Sequence, residues 1–284
     1  GSDGSVYEIA KDLGHIIIEP LPALCGIKCS DDYFKKIAGV RCDGRITLYD
    51  AENTEVISAF GNLQFNQWGI SGIPVFQISS EAVRRLHKGD KIKLRADLLP
   101  DLDNKILPDF LNDSYRRMYG RQGMAEDCAD TAKTAAVLTG LLNKKLAWQV
   151  AVDSAKMGPM HAGEDFGTRI VPIVKRFKMT PVGYSSFDEA QTTSGGVSTS
   201  EINPETMESK ICKGLYFAGE IMDVNGICGG YNLQWAWASG RLAAEAAVAE
   251  LEDGRAAGRR GFSGLAGIGA FVPARLSLGV SAGL

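Results

Sequence analysis

The chain has 284 residues, with 31 Lys and Arg against 34 Asp and Glu for a formal net charge of −3. Its apolar and charged shares are those of a folded globular protein, which excludes wholesale disorder, a collagen-like repeat and a coiled coil. There is no basic block to act as an electrostatic footprint for nucleic acid, and no run reaches the roughly 20 apolar residues of a membrane span.

The longest uncharged apolar run, Gly261 to Ala274, is Gly-rich and contains Pro273, so it reads as a tail and not an anchor. The six cysteines, Cys25, Cys29, Cys42, Cys128, Cys212 and Cys228, are sparse and follow no signal peptide, which reads as reduced thiols in a soluble cytoplasmic protein. About two domains are expected from the length. The partner expected of such a chain is a small-molecule substrate, with neither nucleic acid nor membrane.

In chain order, Val6, Ile9, Ala10 and Leu13 recur at helical spacing after Asp3-Gly4-Ser5, and Gly14 follows as a stop, which predicts a short helix over 5–13. His15 to Glu19 reads as a strand ended by Pro20 and Pro22, with a boundary near 20–24. From 24 to 98 the alternating runs 39–43, 45–49, 55–60, 61–65 and 91–96 are separated by Gly, Asp and Asn turns, the pattern of a small antiparallel sheet or barrel. A helix is predicted after Pro74, a good first-turn residue. Residues 105–178 read as several short helices.

After Thr180-Pro181 the texture changes again. Residues 187–193 read as strand-like, 194–197 as a tight glycine turn, and 203–206 as a polar turn. Gly214 to Gly219 reads as a short apolar strand buried on both faces. A loop through Gly226, Gly229 and Gly230 follows, then a helix from about Tyr231 to Leu251, and beyond 254 a poorly ordered tail.

The segment from Leu215 to Ala247 is where spacing alone suggests chemistry. A strand delivers Glu220 and Asp223 at its end, glycines allow a close backbone approach, and a helix N-terminus then points free N–H groups outward. Carboxylates accept hydroxyls and the helix terminus favours an anion, so the arrangement suits a ligand with both. A plain strand-to-helix turn, with Trp235 and Trp237 as core, is the competing reading.

Thr193 to Lys210, then Gly214-Leu-Tyr-Phe-Ala-Gly-Glu-Ile-Met-Asp-Val-Asn-Gly226 and Gly229-Gly-Tyr-Asn-Leu-Gln-Trp-Ala-Trp-Ala-Ser-Gly240, resemble the C-terminal signature of a bacterial flavoprotein family. That family is the HI0933-like, or BaiN-like, group, which includes bile-acid double-bond reductases and aminoacetone oxidases. The segment at Gly1 to Ser5 with Tyr7 and 13–15, and the turn at 67–75, resemble it as well. The resemblance implies a mixed α/β and α+β fold, a Rossmann-type FAD-binding domain built in two visits over 1–21 and 185–253. An insert over 22–184, a β-barrel at about 24–98 and helices at about 105–178, would lie between them.

FAD is the implied cofactor, with NAD(P)H or dioxygen as redox partner and hydride transfer through flavin as the activity. Glu220 or Asp223 would then face the ribityl chain or pyrophosphate, and Gly219 would lie at the same strand end. Gly229, Gly230, Tyr231, Asn232 and Leu233 would offer backbone N–H groups to the pyrimidine edge of the flavin, and Gly195 and Gly196 would let the chain pass close to it. A family member normally opens with a strand, a Gly-x-Gly-x-x-Gly turn and a helix. No such unit occurs here, and Gly264 to Gly269 lacks the preceding strand and the spacing. The expectation is a chain without the dinucleotide-binding half, with a non-enzymatic scaffold as the alternative and self-association through apolar surface around Leu215, Phe217 and Trp235.

Other candidates read as structural. The 69–73 turn falls one residue short of a nucleophile elbow around Ser71, and the nearest histidine, His87, sits at a polar helix end. His161, Glu164 and Asp165 lie in a Gly/Pro-rich stretch without metal-ligand spacing. Cys25, Cys29 and Cys42 read as small buried hydrophobes, not a zinc set.

Overall fold

The computed structural model describes residues 3–120, 130–158, 160 and 164–258. Helix α1 (Ser5–Asp12) leads into strand β1 (Ile17–Ala23), which pairs antiparallel with β9 (Thr192–Val197) in a two-stranded sheet. Pro20 and Pro22 therefore do not end the first strand. A register shift between Ile18 and Leu21 absorbs the missing Pro20 N–H, and the outer edge of so short a sheet asks for no second ladder.

Between these strands the chain builds a second sheet. Its members are β2 (Ile27–Cys29), β3 (Arg41–Tyr49), β4 (Glu55–Asn66), β5 (Gly69–Ser71), β6 (Lys93–Asp97), β7 (Phe177–Met179) and β8 (Pro181–Tyr184). They are antiparallel in the order β7-β6-β3-β4-β5-β2-β8. The antiparallel sheet expected of 24–98 is present, with two strands contributed from after the helices, but no ladder closes it into a barrel. Its two edge strands, β7 and β8, are consecutive in the chain and meet at Thr180, so a corner stands where a barrel would have a ladder.

The predicted break at Gly44 is not a turn: Gly44 faces Gly61 across β3 and β4. A Cβ at Gly44 would come within 2.7 Å of the Leu63 side chain and 2.9 Å of the Asp97 carbonyl, so the ladder needs a bare backbone there.

Helix α2 (Phe34–Ile37) and helix α3 (Ile73–His87) pack on the sheet, and α3 carries Pro74 in its first turn as predicted. Among the described residues, four more helices, α4 (Leu107–Tyr119), α5 (Thr131–Leu138), α6 (Lys144–Ala155) and α7 (Phe166–Lys175), lie in the region read as helical. Asp130, Asn143 and Asp165 cap the last three by accepting first-turn N–H groups. Helices and sheet share one apolar cluster, in which Phe34, Phe65 and Phe177 meet edge to face or tilted and Tyr115 lies 5.0 Å from Phe166 between ring centres.

Arg169 is the largest side chain fully inside this cluster, and its guanidinium donates to the carbonyls of Ser154 and Gly158 and to Glu164 at 3.3 Å. Glu164 and Asp165, expected in a solvated loop, instead anchor α7: Asp165 caps its first turn and Glu164 pairs with the buried Arg169. Cys128 and His161 lie outside the described residues.

A separate, smaller cluster gathers Ala10, Val197, Ile202, Met207, Phe217, Met222 and Ala243, with Leu215 and Trp235 packed against it. Its lid is helix α8 (Tyr231–Gly258), which runs past the predicted end at Leu251. His15 is buried here, 3.1 Å from Glu201 through Nδ1 and 2.9 Å from the Ser209 hydroxyl through Nε2, with its ring edge-on to Phe217.

Helices α4 and α7 touch backbone to backbone at Gly167, where a Cβ would stand 2.1 Å from the Pro108 carbonyl oxygen. Gly167→Ala is therefore expected to lower stability in urea denaturation by about 1–3 kcal/mol through overpacking. Gly140→Ala, with nothing within 4 Å of its Cβ position, leaves the midpoint unchanged.

Candidate functional site

The site grows from the pairing of β1 with β9. Gly195 and Gly196 lie within strand β9 and not in the tight turn expected at 194–197, with φ of 104° and 128° that favour glycine. A Cβ on Gly195 would fall 2.3 Å from the Glu19 carbonyl oxygen, and one on Gly196 would fall 2.4 Å from that of Ile221. The space these glycines leave is filled by protein backbone on both sides. That lets residues 219–223 lie directly against β9, with Val197 bridging Met222 in parallel.

Residues 187–191, read as strand-like, instead form a turn that delivers the chain to β9. Gly214 to Gly219 is not a strand buried on both faces: Tyr216 makes one isolated bridge to Glu208, and Ala218 is exposed. Among the described residues no strand lies beside it to complete a ladder, and an apolar run without a neighbouring strand has nothing to pair with.

Both carboxylates of the segment are bonded to β9. Glu220 Oε1 accepts the Thr193 N–H, and Asp223 Oδ1 accepts the Gly195 N–H at 3.0 Å. Gly219 is held from α8: its N–H donates to Ser239 Oγ at 2.9 Å and its carbonyl accepts from Trp235 Nε1 at 3.2 Å. Asn232 clamps the following loop twice, accepting the Gly226 N–H at 2.7 Å and donating to the Gly226 carbonyl at 3.0 Å.

Gly229 and Gly230 both have positive φ; a Cβ on Gly230 would meet nothing within 4 Å, whereas one on Gly229 would stand 3.3 Å from the Tyr231 ring, so the loop is open at Gly230. Tyr231 and Leu233, in the first turn of α8, are exposed. The first N–H groups of that helix have no acceptor within the helix.

An open groove of about 1250 Å³ runs between α1, residues 187–193 and residues 215–221. Tyr7, Glu19, Phe187, Thr193 and Glu220 are among its walls. Burial, and after it the negative charge of Glu220, push the Tyr7 phenol up. Of the residues expected to hold cofactor, Glu220 lines this groove, and the loop at 226–230 stands outside it.

Two contributors went unread in the sequence. Ser239 is a lone hydroxyl inside a helix of small apolar residues, which could have flagged it, whereas Tyr7 simply shares the spacing of a helix face. Leu215, Phe217 and Trp235, expected to be exposed, instead pack on the smaller cluster. Exposed apolar side chains of α1 and α8 include Val6, Ile9, Leu233, Trp237, Leu242, Val248 and Leu251.

A model of the HI0933-like protein Rossmann domain matches residues 1–246. The chain belongs to the HI0933-like family. It is 37% identical over 251 residues to the 3-dehydro-bile acid delta(4,6)-reductase of Clostridium scindens, covering 87% of this chain and 58% of that one. It is 32% identical over 250 residues to the ribosomal RNA dihydrouridine synthase of Escherichia coli, at 86% and 56% coverage. To the Haemophilus influenzae protein of the same name it is 29% identical over 238 residues, at 82% and 53%.

The chain thus spans little more than half the length of these curated relatives. The Rossmann-type, mixed α/β assignment stands on the family match, and the HI0933-like group is a family of flavoproteins.

The remaining candidates are structural. Ser71 Oγ accepts from Asn66 Nδ2 at 2.7 Å within a strand pairing, and no group of His, Cys, Asp or Glu among the described residues could hold a metal ion. Among the described residues no helix is long and apolar enough to cross a membrane. Burial pushes the Cys25 and Cys42 thiols up to about 11 and the Cys29 thiol higher still.

At pH 7.5, iodoacetamide is therefore expected to leave these three thiols unmodified in the folded chain and to alkylate them in urea, as read by peptide mass spectrometry. Ser239→Ala removes the acceptor of the buried Gly219 N–H, and urea denaturation should show a loss of about 1–3 kcal/mol.

Proposed function

We propose that this chain carries the cofactor-loop side of an FAD-dependent reductase whose substrate is a small molecule with a carbon–carbon double bond conjugated to a carbonyl. The observation that carries the reading is the arrangement at 219–233. A loop clamped by Asn232 carries Gly229 and Gly230, both at positive φ and with open space at Gly230, immediately before a helix N-terminus and on the segment that Glu220 and Asp223 begin.

The residues fit such a group. Loop and helix terminus offer backbone N–H donors and the positive end of a helix dipole, which suits a ring edge that becomes electron-rich. Glu220 gives one oxygen to the Thr193 N–H and keeps acceptor capacity for a hydroxyl at the groove. Asp223 and Gly219 set the position of the loop: Asp223 through the Gly195 N–H, Gly219 through Ser239 and Trp235. Gly195 and Gly196 contribute by letting residues 219–223 lie against β9. FAD, when bound, supplies hydride transfer, with NAD(P)H as the proposed electron donor. The part of these residues is to bind, orient and stabilise charge.

The names of the relatives support the substrate class. A bile-acid delta(4,6)-reductase and a dihydrouridine synthase both describe the saturation of a carbon–carbon double bond. A net charge of −3 favours a small molecule over RNA for this chain. The free thiols support a reducing, cytoplasmic setting.

The test is an FAD titration of the chain followed by visible spectroscopy, with bands expected near ~370 and ~450 nm that shift on binding. Gly229→Leu with Gly230→Leu, combined with Asp223→Ala, is expected to abolish retention. Unperturbed FAD with the native chain, or full retention in the variant, overturns the reading. Bleaching of the bound flavin by NADH or NADPH, then recovery on adding an enone, supports the substrate class. Recovery with uridine-containing RNA alone replaces it.

A further inference from the structure

The seam between the two apolar clusters is polar. The clusters share no member, and three side chains on one face of α3 cross from the larger to the segments that carry the candidate site. Ser80, Arg84 and His87 follow one another at spacings of four and three, which places them along one side of the helix.

Ser80 Oγ accepts from Asn225 Nδ2 at 3.0 Å. Arg84 Nη2 donates to Ser194 Oγ at 2.6 Å and lies 3.8 Å from Asp223 Oδ1. His87 Nε2 lies 3.0 Å from Glu19 Oε1, and its Nδ1 is 3.2 Å from the Tyr184 hydroxyl. A helix belonging to one cluster thus grips β1, β9 and the 223–225 loop of the other. Ser194 is buried beneath Arg84, whereas the guanidinium itself is 44% exposed.

Arg84 occupies the centre of this grip. Its Nη2 reaches two chain segments that the site requires in register: β9 through Ser194, and the loop entering 226–230 through Asp223. Asp223 at the same time accepts the Gly195 N–H, so one carboxylate joins β9, the loop and α3. Strand β1 reaches both clusters, through Ile17 and Leu21, and the polar pairs from α3 fix β9 and the 223–225 loop against it.

We propose that Arg84 is a positioning residue for the cofactor loop: from α3 it fixes the place of residues 223–230 through Ser194 and Asp223, so flavin affinity depends on a helix outside that loop. The proposal rests on the flavin reading above. Lys at this position keeps the charge but carries its donors as a compact ammonium on a differently shaped stem, so it replaces Arg in part.

The test uses Arg84→Met, Arg84→Lys and Ser80→Ala in the full chain with two independent measurements, amide hydrogen exchange without added cofactor and FAD titration. In Arg84→Met, exchange at Gly195 and through 223–230 is expected to accelerate, with the 41–66 ladder unchanged. FAD binding weakens about tenfold, the factor that ~1.4 kcal/mol makes in an equilibrium constant. Arg84→Lys falls between Met and wild type, and Ser80→Ala shows a smaller change confined to 223–230.

Exchange at these amides equal to wild type in Arg84→Met, or acceleration spread equally over the 41–66 ladder, overturns the proposal. So does flavin affinity unchanged in a chain that binds FAD. If the native chain takes up no flavin, the flavin reading falls by itself, and the exchange measurement still decides whether Arg84 positions the loop.

Discussion

The antiparallel pairing of Ile17–Ala23 with Thr192–Val197 is the constraint on which the rest depends. It brings together residues about 170 to 180 positions apart, and everything between them is a long excursion that must return. Closing a long loop costs entropy only slowly with its length, so a few well-made local contacts can hold the junction. Those contacts are backbone ones, and they require bare backbone. At Gly195 and Gly196 any Cβ would strike the carbonyls of Glu19 or Ile221.

Once the two strands are joined, buried polar groups set the segments that follow. His15, at the exit of α1, reaches both Glu201 and Ser209, and Ser209 Oγ in turn accepts the N–H groups of Ile211 and Cys212. Gly219 is held between Ser239 and Trp235 of α8. A buried donor or acceptor without a partner is costly, so each bond excludes alternative placements of the chain more strongly than it adds net stability. The larger cluster works differently: it is held by aromatic and aliphatic packing, with Arg169 as its one fully buried guanidinium among the described residues.

The sequence disclosed these elements unevenly, and the reasons are physical. Helices with an apolar face and a recognisable start, such as α1 after Gly4 or α3 with Pro74, were legible because period and first-turn chemistry agree. Glycine was the recurrent source of error. Gly44, Gly195 and Gly196 look like turn residues, yet each lies inside a strand where another backbone or side chain comes too close for a Cβ. Local pattern does not see a partner strand that arrives from elsewhere in the chain. The same limit explains Gly214 to Gly219, whose composition is that of a buried parallel strand but which has no neighbouring strand among the described residues. At the site, the signature from 193 to 240 identified which residues matter, whereas their partners in α3, more than a hundred positions away, left no mark on it.

The carboxylates show how such a site is preorganised before any ligand arrives. A carboxylate offers about four acceptor positions. Glu220 spends one on the Thr193 N–H while its side chain lies at the groove wall, so it is held in place and still able to accept. Asp223 is more fully engaged, with the Gly195 N–H at 3.0 Å and Arg84 at 3.8 Å. The two acidic residues, equivalent when read along the chain, therefore divide their labour: Glu220 keeps capacity for a ligand hydroxyl, and Asp223 fixes the loop that a ligand would meet. Geometry held by second partners is what lets a binding group act without reorganising. It follows that the chemistry of this loop is set as much by β9 and α3 as by the glycine motif itself.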